Sequence, residues 1–343
     1  MAPRKHKPFK LILSSVQTSL VFALSLWLFA CSDNDDTTQP VYQGEPAQGN
    51  PTPDPDSGPV IDANTDVRFI AVGDVGKGNQ EQYQVAAAMK EKCIKDECDF
   101  ILMLGDNIYN DGVSSVDDSQ FQTKFELPYQ DIQIPFYVAL GNHDYGGNGK
   151  GTEYGKAGYQ IDYTNVSSKW KMPHHYYQFE QQNVTFIALD TNGQMFGIDK
   201  SQQEDVSSWI ANSTSQWKIV FGHHPYLSNG PHGNAGEYEG RPYIPIANGE
   251  NVKQFAESVW CGKVDLYLAG HDHSRQWLAD TCQGTGIVVS GAGSSTTDLP
   301  GSNSVLFQEN TLGFLYIHIQ DNILNAEFID VTGNVNFRHT ITK

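Results

Sequence analysis

The 343-residue sequence predicts an α/β layered fold. Three observations carry the prediction. Six short apolar runs, rich in β-branched and aromatic residues, stop abruptly at Gly or at a polar cluster. Stretches of helical spacing lie between several of them. Near the C-terminus the pattern changes to alternation of apolar and polar residues, which marks antiparallel strands.

The six runs are VRFIAVGD (67–74), FILMLGDN (100–107), IPFYVALGNHD (134–144), VTFIALD (184–190), KIVFGHH (218–224) and VDLYLAGHDH (264–273). Uninterrupted apolar runs of this length read as strands buried on both faces. Helices are expected at 81–93, where alanines and Met89 recur at helical spacing, and at 118–129, 201–212 and 252–261. Ser201 followed by Glu204 has capping-box spacing. GIVVSGAG (286–293) and the runs 312–320, 323–330 and 334–342 alternate. Short Asn- and Gly-containing turns join the last three as an antiparallel meander.

Residues 1–30 read as a secretory signal. Arg4, Lys5, Lys7 and Lys10 precede the apolar stretch LVFALSLWLFA, and Cys31 follows. That stretch is shorter than the ~20 residues a membrane-spanning helix needs. LFAC at 28–31 resembles a bacterial lipobox with Cys31 as the lipidated residue, although Phe29 is bulkier than the pattern usually carries. Lipidation would tie the chain to a membrane surface without spanning it. A plain cleaved signal and an uncleaved anchor are the alternatives. Residues 31–66 are acidic and proline-rich, with no Lys or Arg, and read as a disordered tether. The folded domain is then expected at 67–343.

The net charge of the chain is −18. Setting aside the four basic residues of the signal and the eight acids of the tether leaves −14 for the folded part. An acidic surface argues against nucleic acid as a partner and leaves anion binding to local positive charge. Cys93, Cys98, Cys261 and Cys282 remain once Cys31 is set aside. An even number in an exported chain suggests two disulfides, with three possible pairings. Cys93–Cys98 with Cys261–Cys282 is the most local pairing, and four free thiols are the alternative. The absence of Cys-x-x-Cys argues against a thiolate zinc site.

The polar residues gather where the strands finish. Asp74, Asp106, Asn142 with His143, His223 with His224, and His271 with His273 each follow a Gly at the end of a run. Sites in open α/β sheets form outside the carboxyl ends of strands. Several imidazoles grouped with carboxylates are costly unless a cation neutralises them. Nitrogen and oxygen donors without thiolate suit Zn, Mn or Fe. Two such ions sharing a carboxylate form the clamp of an in-line phosphoryl displacement.

In this order GD, GDN, GNHD, GHHP and GHDH resemble the calcineurin-like metallophosphoesterases. Most members carry Asp-x-His in the first motif, whereas GDVG puts Gly76 at the histidine position. The second motif reads GDNIY, so Tyr109 can supply the missing ligand. A lost histidine with a gained tyrosine is similar to the purple acid phosphatases of the small tartrate-resistant type. The likeness extends through 163–179, 222–233 and 270–293 and spans residues 67–340.

That resemblance implies a four-layer α/β/β/α sandwich of mixed sheets with C-terminal antiparallel strands. It implies that Asp74, Tyr109 and His273 hold Fe(3+). Asn142, His223 and His271 would hold a divalent metal (Fe, Zn or Mn), and Asp106 would bridge the two. His143 and His232 match the two substrate-facing histidines. His224 stands where the family often has an aromatic, and its role stays open. The implied activity is hydrolysis of small phosphate monoesters at acidic pH, with metal-held hydroxide as nucleophile, in an exported or envelope-attached protein. Use of the same centre on phosphodiesters, nucleotides or phosphoproteins is the alternative, and a non-catalytic lipoprotein is the third. The chemistry is coherent: phenolate is a hard anionic donor that favours ferric iron and colours it. A trivalent ion also lowers the pKa of water further than a divalent one.

Overall fold

The computed structural model describes residues 65–198, 200–240 and 247–343. The expected signal over 1–30, Cys31 and the tether up to residue 64 lie outside the described residues. No helix among the described residues is long and apolar enough to cross a membrane.

The six apolar runs divide three and three between two seven-stranded mixed sheets. β1 (Asp66–Val72), β2 (Phe100–Leu104) and β3 (Phe136–Ala139) pair in parallel, with short β4 (Trp170–Lys171) beyond them. β5 (Tyr177–Gln181) is an antiparallel edge to β6 (Val184–Ala188), which pairs in parallel with β7 (Trp217–Phe221) and then β8 (Leu266–Ala269). β9 (Arg275–Leu278), β10 (Gly286–Ser290) and β11 (Val305–Glu309) complete that second sheet. β12 (Gly313–Gln320), β13 (Ile323–Asp330) and β14 (Val335–Thr342) form the expected meander and join the first sheet through β1. GIVVSGAG departs from its expected alternation. Its strand β10 is buried on both faces after Gly286 and pairs in parallel with β8.

Alternate residues of the second sheet serve two cores. Phe186, Ile219, Phe221, Leu266 and Leu268 pack against the first sheet. Ile187, Val220, Tyr267 and Ala269 pack instead with Val206 and Ile210 of the helix Ser201–Asn212 and with Val259 and Trp260. On the first sheet, Val85, Ala88 and Met89 of α1 (Gln80–Asp96) complete the covering. The result is four layers, α/β/β/α. Between the sheets the rings of Phe69, Phe100 and Phe186 lie 5.1–5.3 Å apart. Each such pair contributes about 0.5–1.5 kcal/mol beyond area burial.

The helical expectations need correction at three places. Stretch 118–129 is not an amphipathic α-helix; it is built around a π turn at Gln122–Glu126, with Pro128 preventing continuation. Stretch 252–261 divides into a short helix, Glu250–Phe255, and a second π turn, Ala256–Trp260. Helix Ser201–Asn212 starts at Ser201 itself, whose hydroxyl lies 2.8 Å from Tyr176 Oη. Two further helices, α2 (Gly155–Asp162) and α3 (Thr191–Phe196), had no expectation. In chain order, Ser201–Asn212 is α4 and Glu250–Phe255 is α5. The disulfides take the most local pairing, Cys93–Cys98 and Cys261–Cys282.

The described chain enters where the strands begin. Thr65 and Asp321 exchange hydrogen bonds, Thr65 N to Asp321 Oδ1 at 3.2 Å and Asp321 N to Thr65 O at 2.8 Å. Trp217, the first residue of β7, donates Nε1 to the Asp321 carbonyl at 2.8 Å. The starts of β1 and β7 therefore meet at one end. At about 3.3 Å per residue, β1 alone carries the chain some ~20 Å to the other.

Candidate metal centre

At that other end the two sheets finish together. Asp74 follows β1, Asp106 follows β2, Asn142 and His143 follow β3, His223 follows β7, and His271 and His273 follow β8. Three of these turn out of their strands through left-handed backbone: Asp74 (φ 59°), Asp106 (φ 54°) and His271 (φ 69°). Such conformations cost non-glycine residues about 1–3 kcal/mol each and persist only when surroundings fix them. The fixing bonds are present. His271 N donates to Asp74 Oδ2 at 2.8 Å, and His143 N donates to Asp106 Oδ1 at 2.9 Å. The first of these also ties one sheet to the other.

The side chains converge in two clusters. In one, Tyr109 Oη lies 2.9 Å from Asp74 Oδ1 and 3.0 Å from His273 Nε2, and those two atoms are 3.4 Å apart. In the other, His223 Nε2 lies 2.9 Å from Asn142 Oδ1, 3.0 Å from His271 Nδ1 and 3.4 Å from Asp106 Oδ1. Donor atoms of Asp74, Asp106 and His223 all fall within 4.8 Å of one another, so Asp106 stands between the clusters.

The donors fit cations. Bonds of about 2.0–2.2 Å at right angles put neighbouring donors about 3 Å apart, the spacing seen in both clusters. Orientation is the stronger test. His223 Nδ1 faces the Leu104 carbonyl at 2.9 Å, which puts its proton there and leaves a lone pair on Nε2. Asn142 Nδ2 donates to the Gly149 carbonyl at 2.8 Å, which turns Oδ1 inward. His223 Nε2 and Asn142 Oδ1 thus meet at 2.9 Å, a contact that positive charge on or between them, a proton or a bound cation, makes favourable.

The electrostatics agree. Burial opposes ionisation of Asp106, but His223 and His143 beside it hold its carboxyl well below the usual range. Burial likewise opposes charging His223, but Asp106 raises it to about 9. Burial and then His232 push His271 down. Burial, Asp106 and Asp74 push the Tyr109 phenol up, so only a strong Lewis acid would make it a phenolate at low pH.

Gly76 explains why the first motif carries no histidine. A Cβ there would collide with the Asn107 carbonyl and Ile108 nitrogen. The second loop lies directly on the first, and Tyr109 N donates to the Gly76 carbonyl at 2.9 Å. The phenol reaches Asp74 and His273 from this second loop. Lys124, on the π turn Gln122–Glu126, bonds the Tyr109 carbonyl, and Lys77 Nζ stands 5.2 Å from the Tyr109 ring centre.

The other named histidines border an adjoining cleft of about 440 Å³. His143 presents Nδ1 to the Asn110 carbonyl at 2.6 Å, and its ring lies 4.3 Å from that of Tyr109. His232 stacks on His271 at 4.0 Å and bonds the Glu239 carboxylate through Nδ1. His224 is buried; its Nδ1 lies 2.8 Å from Thr191 Oγ1 and its ring 4.6 Å from His271. Burial and then His223 push its pKa down, so it forms an uncharged wall beside His271.

Four supporting residues carried no sequence expectation. Asp144 is buried and accepts from Asn107 N, Ile108 N, Gly141 N, Asn107 Nδ2 and Gln160 Nε2, locking the second and third loops together. Burial and the charge of Asp106 raise its carboxyl to about 6. Asp272 Oδ1 accepts from His232 N at 3.0 Å. Ser295 Oγ lies 2.7 Å from His273 Nδ1 and accepts from Lys77 Nζ at 2.7 Å. Glu239 holds His232. Asp144 and Asp272 sit inside the motifs GNHD and GHDH; their signal was an acid whose neighbours already face the site. Ser295 and Glu239 lie in loops, where spacing carries no such signal.

Residues 67–275 match the family described as calcineurin-like phosphoesterase. The chain is similar to tartrate-resistant acid phosphatase type 5 of Sus scrofa, with 30% identity over 79% of this chain and 86% of that one. It is similar to purple acid phosphatase 3 of Arabidopsis thaliana, with 26% identity over 98% of this chain and 87% of that one. In fold it is similar to the purple acid phosphatase solved from yellow lupin (Lupinus luteus) seeds. That likeness has a TM-score of 0.62 at 17% identity, over 81% of this chain and 54% of that one.

Proposed function

Because the chain belongs to the calcineurin-like phosphoesterases and, within them, to the purple acid phosphatases, we propose that it is an acid phosphatase hydrolysing phosphate monoesters at a binuclear Fe(III)–M(II) centre. One observation carries the reading: two clusters of oxygen and nitrogen ligand atoms converge at the strand ends, with Asp106 between them. Asp74, Tyr109 and His273 would hold the ferric ion. Asn142, His223 and His271 would hold the divalent one, with Asp106 shared. When bound, such ions polarise a phosphate oxygen and lower the pKa of water, so hydrolysis can run below neutral pH.

The residues of the chain do the rest. Leu104 and Gly149 carbonyls aim His223 and Asn142 inward. Asn110 fixes the His143 ring at the cleft, and Asp272 and Glu239 fix His232. These two imidazoles border the space a phosphate ester would occupy. His143 suits stabilising charge on the phosphoryl oxygens, and His232 suits giving a proton to the leaving alkoxide. Two disulfides fit an exported chain. Attachment to a membrane surface through Cys31 belongs to the same reading.

The test is metal content and a visible spectrum of the purified protein, with rates on p-nitrophenyl phosphate and its bis ester. One iron with a second metal, a coloured protein and preference for the monoester are expected. Preference for the bis ester would make it a diesterase. No metal-dependent rate on either would end the enzymatic reading.

A further inference from the structure

We infer that Glu239 is the positioning residue for His232, and that it sets how well this enzyme acts on esters with poor leaving groups. The inference rests on the phosphatase reading above.

His232 is held at three points. Its backbone N–H is bound by Asp272, the acid lying between the two histidines His271 and His273. Its ring is laid on His271 at 4.0 Å and 29°. Its Nδ1 is bound by the carboxylate of Glu239. The first two points fix where the ring is. Only the third distinguishes its two nitrogens. A carboxylate accepting from Nδ1 keeps a proton on that atom and leaves Nε2 as the nitrogen free to act in the cleft.

Glu239 is built for that contact. Its own N–H donates to the His232 carbonyl at 3.0 Å, so backbone and side chain both bind the same residue. Its backbone is left-handed, φ 59°, a conformation that needs outside support in a residue with a side chain. The preceding Tyr238 supplies it: its N–H donates to the Asn248 carbonyl at 3.0 Å, and its hydroxyl bonds the Pro225 carbonyl. Pro225 directly follows His223-His224, so the support for Glu239 is anchored at the metal-facing strand end.

The chemistry gives a signature that fold stability alone does not. A nitrophenolate leaves without needing a proton, whereas an alkoxide does not. Loss of His232 orientation should therefore be felt on alkyl esters and spared on p-nitrophenyl phosphate. Glu239→Gln keeps a side-chain acceptor for Nδ1, and Glu239→Ala does not.

The experiment measures kcat and KM for both variants on p-nitrophenyl phosphate and β-glycerophosphate, with metal content and the visible band. For Glu239→Ala we expect kcat on β-glycerophosphate to fall roughly 10–100-fold. The change on p-nitrophenyl phosphate should be under about threefold, with KM, metals and band unchanged. Glu239→Gln should recover most of the loss. Equal losses on the two esters, no loss on either, or a Gln variant as poor as Ala would overturn the inference and leave the phosphatase reading standing. A fall in metal content would make Glu239 a structural support of the centre instead. A wild-type protein without metal-dependent activity would sink the phosphatase reading, and this inference with it.

Discussion

Tyr109 and Gly76 act as a pair. The glycine lets the second loop settle on the first, and the tyrosine reaches Asp74 and His273 from that loop. Tyr109→Phe removes the oxygen and keeps the ring. The iron-loaded variant should lose its visible absorption band and much of its iron, as read by absorption and metal analysis; a retained band would mean that another group colours the protein. Gly76→Ala inserts a methyl group against the Asn107–Ile108 peptide. Thermal unfolding should show destabilisation of about 1–3 kcal/mol, as for other overpacked sites. A variant as stable as the parent would show that the two loops can part. The strand-end residues were legible in the sequence because a buried apolar run makes its polar terminus conspicuous. The residues that hold them were not. Asp144 reads as the last letter of a motif, and only its five donors reveal a clamp.

Among the elements, strands were easier to read than helices, for a physical reason. Most residues of the two parallel sets are buried on both faces, so their apolar runs are long, with Arg68 and Lys218 among the few half-buried polar positions. The stretches around Gln122–Glu126 and Ala256–Trp260 have helical spacing, but π turns widen them, and hydrophobic period alone does not report that. β10 was misread for the converse reason, since Val and Ser side by side look like alternation even when both faces are covered. The meander carries its own pH dependence. Glu327 of β13 lies between Lys92 of α1 and Arg338 of β14 at 2.7 and 2.8 Å. Partial burial opposes its ionisation, yet these two cations lower its pKa below 4.5. A lowered folded value means stabilisation that is complete above 4.5 and fades as pH falls through that lowered value. Glu327→Gln should therefore lower Tm at pH 6, and the gap from the parent should close as the medium is acidified below about pH 4. A gap of constant size across that range would show that the charge contributes nothing.

At the scale of the whole molecule, the centre joins the sheets. Its donors come from the ends of β1, β2 and β3 in one and of β7 and β8 in the other, and the His271–Asp74 bond crosses between them. Without cations, the buried carboxylates, phenol and imidazoles have only their bonds to one another to offset the cost of leaving water. A ligand present at a thousand times its Kd stabilises a fold by about 4 kcal/mol. Chelation should accordingly lower Tm by several degrees, and re-adding iron with zinc should restore it; an unchanged melting curve would mean the donors hold together unaided. Where the chain enters has a different kind of consequence. Thr65 is pinned to Asp321 beside the start of β7, at the far end of the strands from Asp74 and His223. A chromatography bead coupled at Thr65 itself would take hold of the end opposite the cleft, and the mouth would face the surrounding liquid, where phosphate esters diffuse in and out unobstructed.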